Sequence, residues 1–276
     1  MKWAVHRRLA SALAASLTQL RGVERQLLEG VVEPDVVRDT KIVSGRRRLR
    51  EVPVKHHGAD AVKWAYKYAW RARIAWLKGD RGSAAKLLGR ALHYVQDYCV
   101  GRGLLIDRHE QLEELSAEDE FLIEDSVHLV YEASCRPIED PYLLEGYIAS
   151  LKPQKKDHRA MLREAAIATG VVGSTVLNIG PCPEAFLEQA RSRFKLRLIG
   201  LAAVAGAALM LAAIHPLLIF ASPALGYVID WPYRRSLTRL RWYGIKLGFL
   251  KKPSESWMHA QPHVKERGLV KDLLGP

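Results

Sequence analysis

Helical spacing dominates the hydrophobic pattern of this chain. Within residues 1–27 the apolar positions continue through Leu17, Leu20, Val23 and Leu27 as one face of an amphipathic helix. Gly30 and Pro34 interrupt the pattern, and Asp35 follows in what reads as a turn. Residues 41–54 hold a dense basic run, including Arg46, Arg47, Arg48 and Arg50, and read as an exposed loop open to phosphate contact. The next stretch aligns Trp64, Tyr68, Ala72 and Ala75 along one side, as a core helix does, and stops at Gly79 and Asp80. Ser83 begins another helix. Ser116 to Asp119 has the spacing of a capping box and predicts a helix through Tyr131. Further helices are expected after Pro141 and from His158 to about Val176. No sustained period-two alternation is flanked by hairpin turns, so the expected fold class is all-α.

One stretch breaks the amphipathic rule. Residues 198–229 contain no Asp, Glu, Lys or Arg, a run of 32. A single helix of that length would extend about 48 Å, beyond the roughly 30 Å hydrocarbon core of a bilayer. His215 and Pro216 fall midway and offer a turn, so a hairpin of two short helices fits best. Lys195 and Arg197 precede it; Arg234, Arg235, Arg239 and Arg241 follow. Basic flanks on both sides put both ends on the cytoplasmic side of a membrane. A buried soluble hairpin is the alternative. Downstream, aromatic, apolar and basic residues mix as in an interfacial helix.

Composition adds a charge bias. The chain has 42 Lys and Arg against 30 Asp and Glu, a net charge of +12. That excess favours anionic partners, phospholipid headgroups or nucleic acid. Cys99, Cys135 and Cys182 are odd in number and widely spaced, which excludes a disulfide framework and a CxxC metal motif. The first residues carry some signal-peptide features, but Arg7 and Arg8 confine the apolar part to 9–17. Their periodicity reads instead as a helix of the folded domain.

The chemistry concentrates between residues 88 and 114. His93 with Asp97, and His109 with Glu113, are two imidazole–carboxylate pairs four residues apart. Residues at that spacing share one helix face, so each pair could hold a divalent cation through nitrogen and oxygen. The bland alternatives are a half-buried His–Asp ion pair and a solvated His–Glu pair.

These residues and their order resemble the zinc-dependent phospholipase C family and the related fungal single-strand-specific nucleases. The family's His-x-x-x-Asp helix motif is matched by His93 and Asp97, and its His-x-x-x-Glu pair by His109 and Glu113. Upstream, His6, Asp35 and either His56 or His57 stand in the places of its remaining ligands. The resemblance covers about residues 1–115. It implies an all-helical domain with two or three zinc ions, held here by His6, Asp35, His56 or His57, His93, Asp97, His109 and Glu113. Asp35 and Asp97 would be the bridging or base carboxylates. Two positions depart from the pattern. A third His expected ten residues after His93 is Gly103, for which His128 is a possible substitute, and the family's N-terminal Trp amino ligand is not matched, because Trp3 follows Met1 and Lys2.

The expected organisation is a metal-dependent phospholipase C-like domain over 1–192, a hydrophobic hairpin over 193–233 and a basic amphipathic tail over 234–276. The expected function is zinc-dependent phosphodiester hydrolysis of a phospholipid headgroup at the membrane. A zinc nuclease acting on single-stranded nucleic acid is the first alternative. A membrane-anchored scaffold with a structural metal is the second. No protein partner is implied.

Overall fold

The computed structural model of the chain describes residues 1–44, 49–56, 58–100, 114, 118–153, 157–177, 180–214 and 222–245. The chain divides into two compact units, Met1–Asn178 and Ile179–Pro276. Among the described residues it is mostly helical, as the periodicity predicts. The first unit holds α1 (Trp3–Ser16), α2 (Glu24–Val36), α3 (Ala59–Leu77), α4 (Arg81–Cys99), α5 (Glu120–Ser134), α6 (Pro141–Ser150) and α7 (His158–Leu177). The second holds α8 (Glu184–Ile214) and α9 (Ser222–Trp242). The compositional boundaries near 192 and 233 fall inside α8 and α9.

Helix α1 buries Val5, Leu9 and Leu13 and is part of the core of the first unit. It ends at Ser16 rather than running on to Leu27. A short 3-10 turn, Thr18–Leu20, and Gly22 at φ 80 redirect the chain before α2 starts. Leu20 and Leu27 are fully buried all the same, so the periodicity tracked one core face across two helices.

Helix α2 continues through Gly30 and Pro34, which corrects the expected break and puts Asp35 in the last turn. A proline near a helix end removes one donor and crowds the carbonyl four residues earlier. Here that carbonyl belongs to Gly30, and Val37 N–H still donates to Glu33 O at 2.8 Å. Gly30 has a second use. A Cβ built on it would collide with the Lys86 backbone, and one on Gly89 would collide with the Leu27 carbonyl and lie 2.7 Å from Val31 N. The missing side chains let α2 and α4 touch backbone to backbone. α4 packs on α1, α2, α3 and α7 and is the central helix of the unit. Its N-cap is Asp80, whose carboxylate accepts from Ser83 N–H at 3.0 Å.

The basic stretch expected as a loop is instead an antiparallel ribbon, β1 (Thr40–Ser44) and β2 (Leu49–Pro53), with Thr40 opposite Pro53 and Ser44 opposite Leu49. One face is open, with Ile42 72% and Leu49 70% exposed, and the other is only half covered, at Lys41 and Val52. A ribbon with no buried face has no reason to alternate, and for that reason it escaped the period-two test.

In the second unit α8 and α9 run antiparallel, with Gln189 against Arg239 and Arg197 against Asp230. A Cβ on Gly200 would lie 2.8 Å from Ile229, so glycine permits close helix contact there. Both helices are longer than the short pair expected, since each extends into its basic flank. The supposed interfacial helix is the second half of α9, with Tyr233 and Trp242 buried. The expected turn at His215 and Pro216, and the tail beyond Ile245, lie outside the described residues.

Candidate metal centre

Helix α4 presents His93 and Asp97 one turn apart on a buried face, with His93 fully buried and Asp97 nearly so. The last turn of α2 brings Asp35, and the segment after β2 brings His56. His93 Nε2 lies 3.0 Å from His56 Nδ1, 3.2 Å from Asp97 Oδ2 and 3.5 Å from Asp35 Oδ1. His56 Nδ1 lies 3.1 Å from Asp97 Oδ2 and 3.5 Å from Asp35 Oδ1. Nitrogen and oxygen ligands about 2.0–2.1 Å from a tetrahedral ion stand about 3.3 Å apart. The separations that involve the two imidazoles are therefore close to those around a small divalent transition-metal ion, and all four donor atoms lie within 4.8 Å of one another.

The protonation of the ring nitrogens follows from their partners. His93 Nδ1 faces the Val31 carbonyl at 2.9 Å, which can only accept, so the proton sits there and the Nε2 lone pair turns to the site. Burial works against a charge on His93, but Asp97 and Asp35 outweigh it and raise its pKa above the ordinary imidazole value.

The second oxygen of Asp97 faces another set of groups. Its Oδ1 lies 2.8 Å from the Met1 α-ammonium and 3.2 Å from His6 Nε2. The amino group beside the site is thus that of Met1, while Trp3 donates its indole N–H to Asp35 Oδ2 at 2.8 Å. His6 is fully buried and stacks on His93 at 4.6 Å. A chain of hydrogen bonds fixes its tautomer. Thr169 Oγ1 donates to Ala165 O at 2.7 Å and accepts from Gln96 Nε2 at 2.9 Å. Gln96 Oε1 is then left to accept from His6 Nδ1–H at 2.5 Å. The lone pair on His6 Nε2 sits at ion-pair distance from Asp97 without a hydrogen bond to match. Burial lowers the pKa of His6 against the pull of Asp97, which keeps that lone pair available. Asp97 is buried too, yet the Met1 ammonium, with His93 and His56, holds its carboxyl well below the usual range.

A second network braces the first. Asp39 accepts from Tyr94 OH at 2.7 Å, from Arg90 Nη2 at 2.8 Å and from Tyr68 OH. Arg90 also donates to Glu33 at 3.1 Å, which ties α4 back to α2. Burial opposes ionisation of Asp39, but these three donors outweigh it and lower its pKa. The Tyr94 ring meets the His56 ring edge-on at 5.2 Å. Gln96, Thr169, Asp39, Arg90 and Tyr94 do not stand out in the sequence. The one available signal was a set of polar residues on an otherwise apolar helix, α4.

An open pocket of about 840 Å³ leads to Asp35, His56 and Asp97, and Trp3 and Arg38 help to line it. Of the residues singled out from the sequence, His6, Asp35, His56, His93 and Asp97 come together here. His57, His109 and Glu113 lie outside the described residues, as does Gly103. His128 sits exposed on α5, 3.3 Å from Glu132, and is not among the residues of the described cluster. Trp64 and Tyr68 pack on each other and on Tyr94, Tyr68 in the core and Trp64 half-buried beneath Lys67. Protein-family models, curated proteins and solved structures were each compared with this chain, and none matches.

Proposed function

We propose that this chain is a zinc-dependent phosphodiester hydrolase, similar to phospholipase C, that acts on a phospholipid headgroup at a membrane. The observation that carries the reading is the division of Asp97. One of its oxygens faces His93, His56 and the direction of Asp35; the other faces His6 and the Met1 nitrogen. A carboxylate with donors on both sides is what a bridging ligand requires, and the unmatched lone pair of buried His6 supports a cation on the second side. Asp35, His56, His93 and Asp97 would hold one ion; Asp97 and His6 would contribute to another. Two imidazoles with two carboxylates suit zinc among the abundant divalent ions. A bound zinc ion supplies an activated water near neutral pH and polarises a phosphoryl oxygen.

The residues of the chain do the rest. His93 and Val31, like His6 and Gln96, keep their lone pairs aimed inward. Trp3 holds one oxygen of Asp35 and leaves the other for the site. The exposed hydrophobic positions of α8 and α9 support a lipid surface as the place of action, with the flanking arginines on its cytoplasmic side.

The test gives purified protein with zinc mixed phospholipids and single-stranded nucleic acid side by side. Diester cleavage of the lipid is expected, abolished by Asp35→Asn and by Asp97→Asn. Cleavage of nucleic acid alone would replace this reading with the nuclease. Inactivity on both, with zinc retained, would leave a scaffold with a structural metal.

A further inference from the structure

The pocket beside the metal-capable cluster is asymmetric in charge. Asp35 and Asp97 are the carboxylates among the described residues that line it, and both are committed to the donor set. The same lining carries two cations, Lys2 and Arg38, that are not part of that set. Lys2 is partly neutralised by Glu114 at 3.6 Å. Arg38 is exposed just after α2, three residues from Asp35, and pairs with no carboxylate among the described residues. A planar guanidinium in that position is suited to an anionic oxygen and repels an ammonium.

From this asymmetry we infer that the site selects phospholipids whose headgroup carries no positive charge, and that Arg38 is the selecting residue. The inference rests on the lipid-hydrolase reading and narrows its substrate class. A diester bound at the donor set has its headgroup in the pocket that Arg38 lines. A glycerol or similar uncharged group, with further anionic oxygens, finds Arg38 favourable. A trimethylammonium or ammonium meets a like charge at close range, where a few ångströms and partial desolvation make repulsion costly. Apart from the His56 imidazole of the donor set, Trp3, 47% exposed, is the one aromatic ring among the described lining residues. Its indole N–H is engaged by Asp35, and a single ring beside an arginine is a poor cation cage.

Two headgroup phosphates, one with an uncharged polyol and one with a quaternary ammonium, test this: sn-glycerol 3-phosphate and phosphocholine, titrated into the full chain by calorimetry with and without zinc. Glycerol phosphate should bind at least about tenfold tighter, a difference of about 1.4 kcal/mol. Arg38→Met should bring the ratio to about one, and Arg38→Lys should keep part of it. Because Arg38 is exposed, both variants should melt with the parent and hold the same zinc. The inference is overturned if phosphocholine binds as tightly as glycerol phosphate, if Arg38→Met leaves the ratio unchanged, or if neither probe binds at millimolar concentration. Vesicle hydrolysis and zinc content are read separately, so failure of the hydrolase reading is distinguishable from failure of this one.

Discussion

The two units of this protein break the usual rule of burial in opposite directions. In the first, charged and polar groups are inside: His6, His93, Gln96 and Asp97 are buried around one another. In the second, large apolar groups are outside: Leu209 is 72% and Met210 73% exposed, with Ile199 and Val228 close behind. Neither arrangement suits a plain soluble core. Buried polar atoms are tolerated when each has a partner, and in the first unit nearly all do. His6 Nε2 is an instructive exception among the described residues, because a lone pair without a proton to accept is suited to a cation. Exposed apolar surface is tolerated when something covers it. The lesson is that an unmatched group, polar or apolar, identifies the chemistry of the partner it lacks.

The sharpest way to break the first half of the comparison is to empty the cluster. His93→Ala with Asp97→Ala should remove bound metal completely, as read by elemental analysis, while circular dichroism stays helical. The second half is broken by charge. Leu209→Lys with Met210→Glu puts two ionised groups in the apolar run, each costing about 2.5–3.5 kcal/mol at the centre of a membrane helix. The variant should leave the membrane fraction in a carbonate wash that the parent survives. A parent chain that is itself soluble without detergent would remove the lipid surface from the account.

The scaffold behind the cluster comes next. Gly89→Val forces α4 away from α2 and should cost about 3 kcal/mol, since the obstructing atoms are backbone rather than side chain. Thermal melting should fall by roughly 6–12 °C for a unit of this size. The smallest effect is expected in the bracing network. Asp39→Asn should cost about 1–3 kcal/mol at neutral pH, with Arg90 left short of a charge. Asp39 has a lowered folded-state pKa, so its contribution is complete above about pH 4 and fades as pH falls through that lowered value. Urea unfolding at a series of pH values should therefore show parent and variant converging in acid. Parallel curves would mean that the carboxylate contributes no pH-dependent stability.

The amphipathic helices of the first unit were readable because they bury one face at a fixed period. The His93–Asp97 pair was readable for the same reason, as a polar couple on that buried face. Asp35, His56 and His6 were placed by their order along the chain, through a resemblance, because nothing local marks them. Gly30 and Pro34 misled because the same residues that end helices also allow close packing and tolerate a last turn. The hairpin over Thr40–Pro53 was invisible because neither of its faces is buried. Gln96 and Thr169 could not be found at all. Their part depends on two distant helices, α4 and α7, meeting beside α1, which is tertiary information.

The central claim is that the cluster around Asp97 holds metal. Elemental analysis of full-length protein, purified without any chelator, tests it most directly. The account predicts at least one zinc ion per chain, retained through gel filtration and lost in the His93→Ala, Asp97→Ala variant. Protein that carries no stoichiometric transition metal, and takes up none when zinc is added, would contradict it.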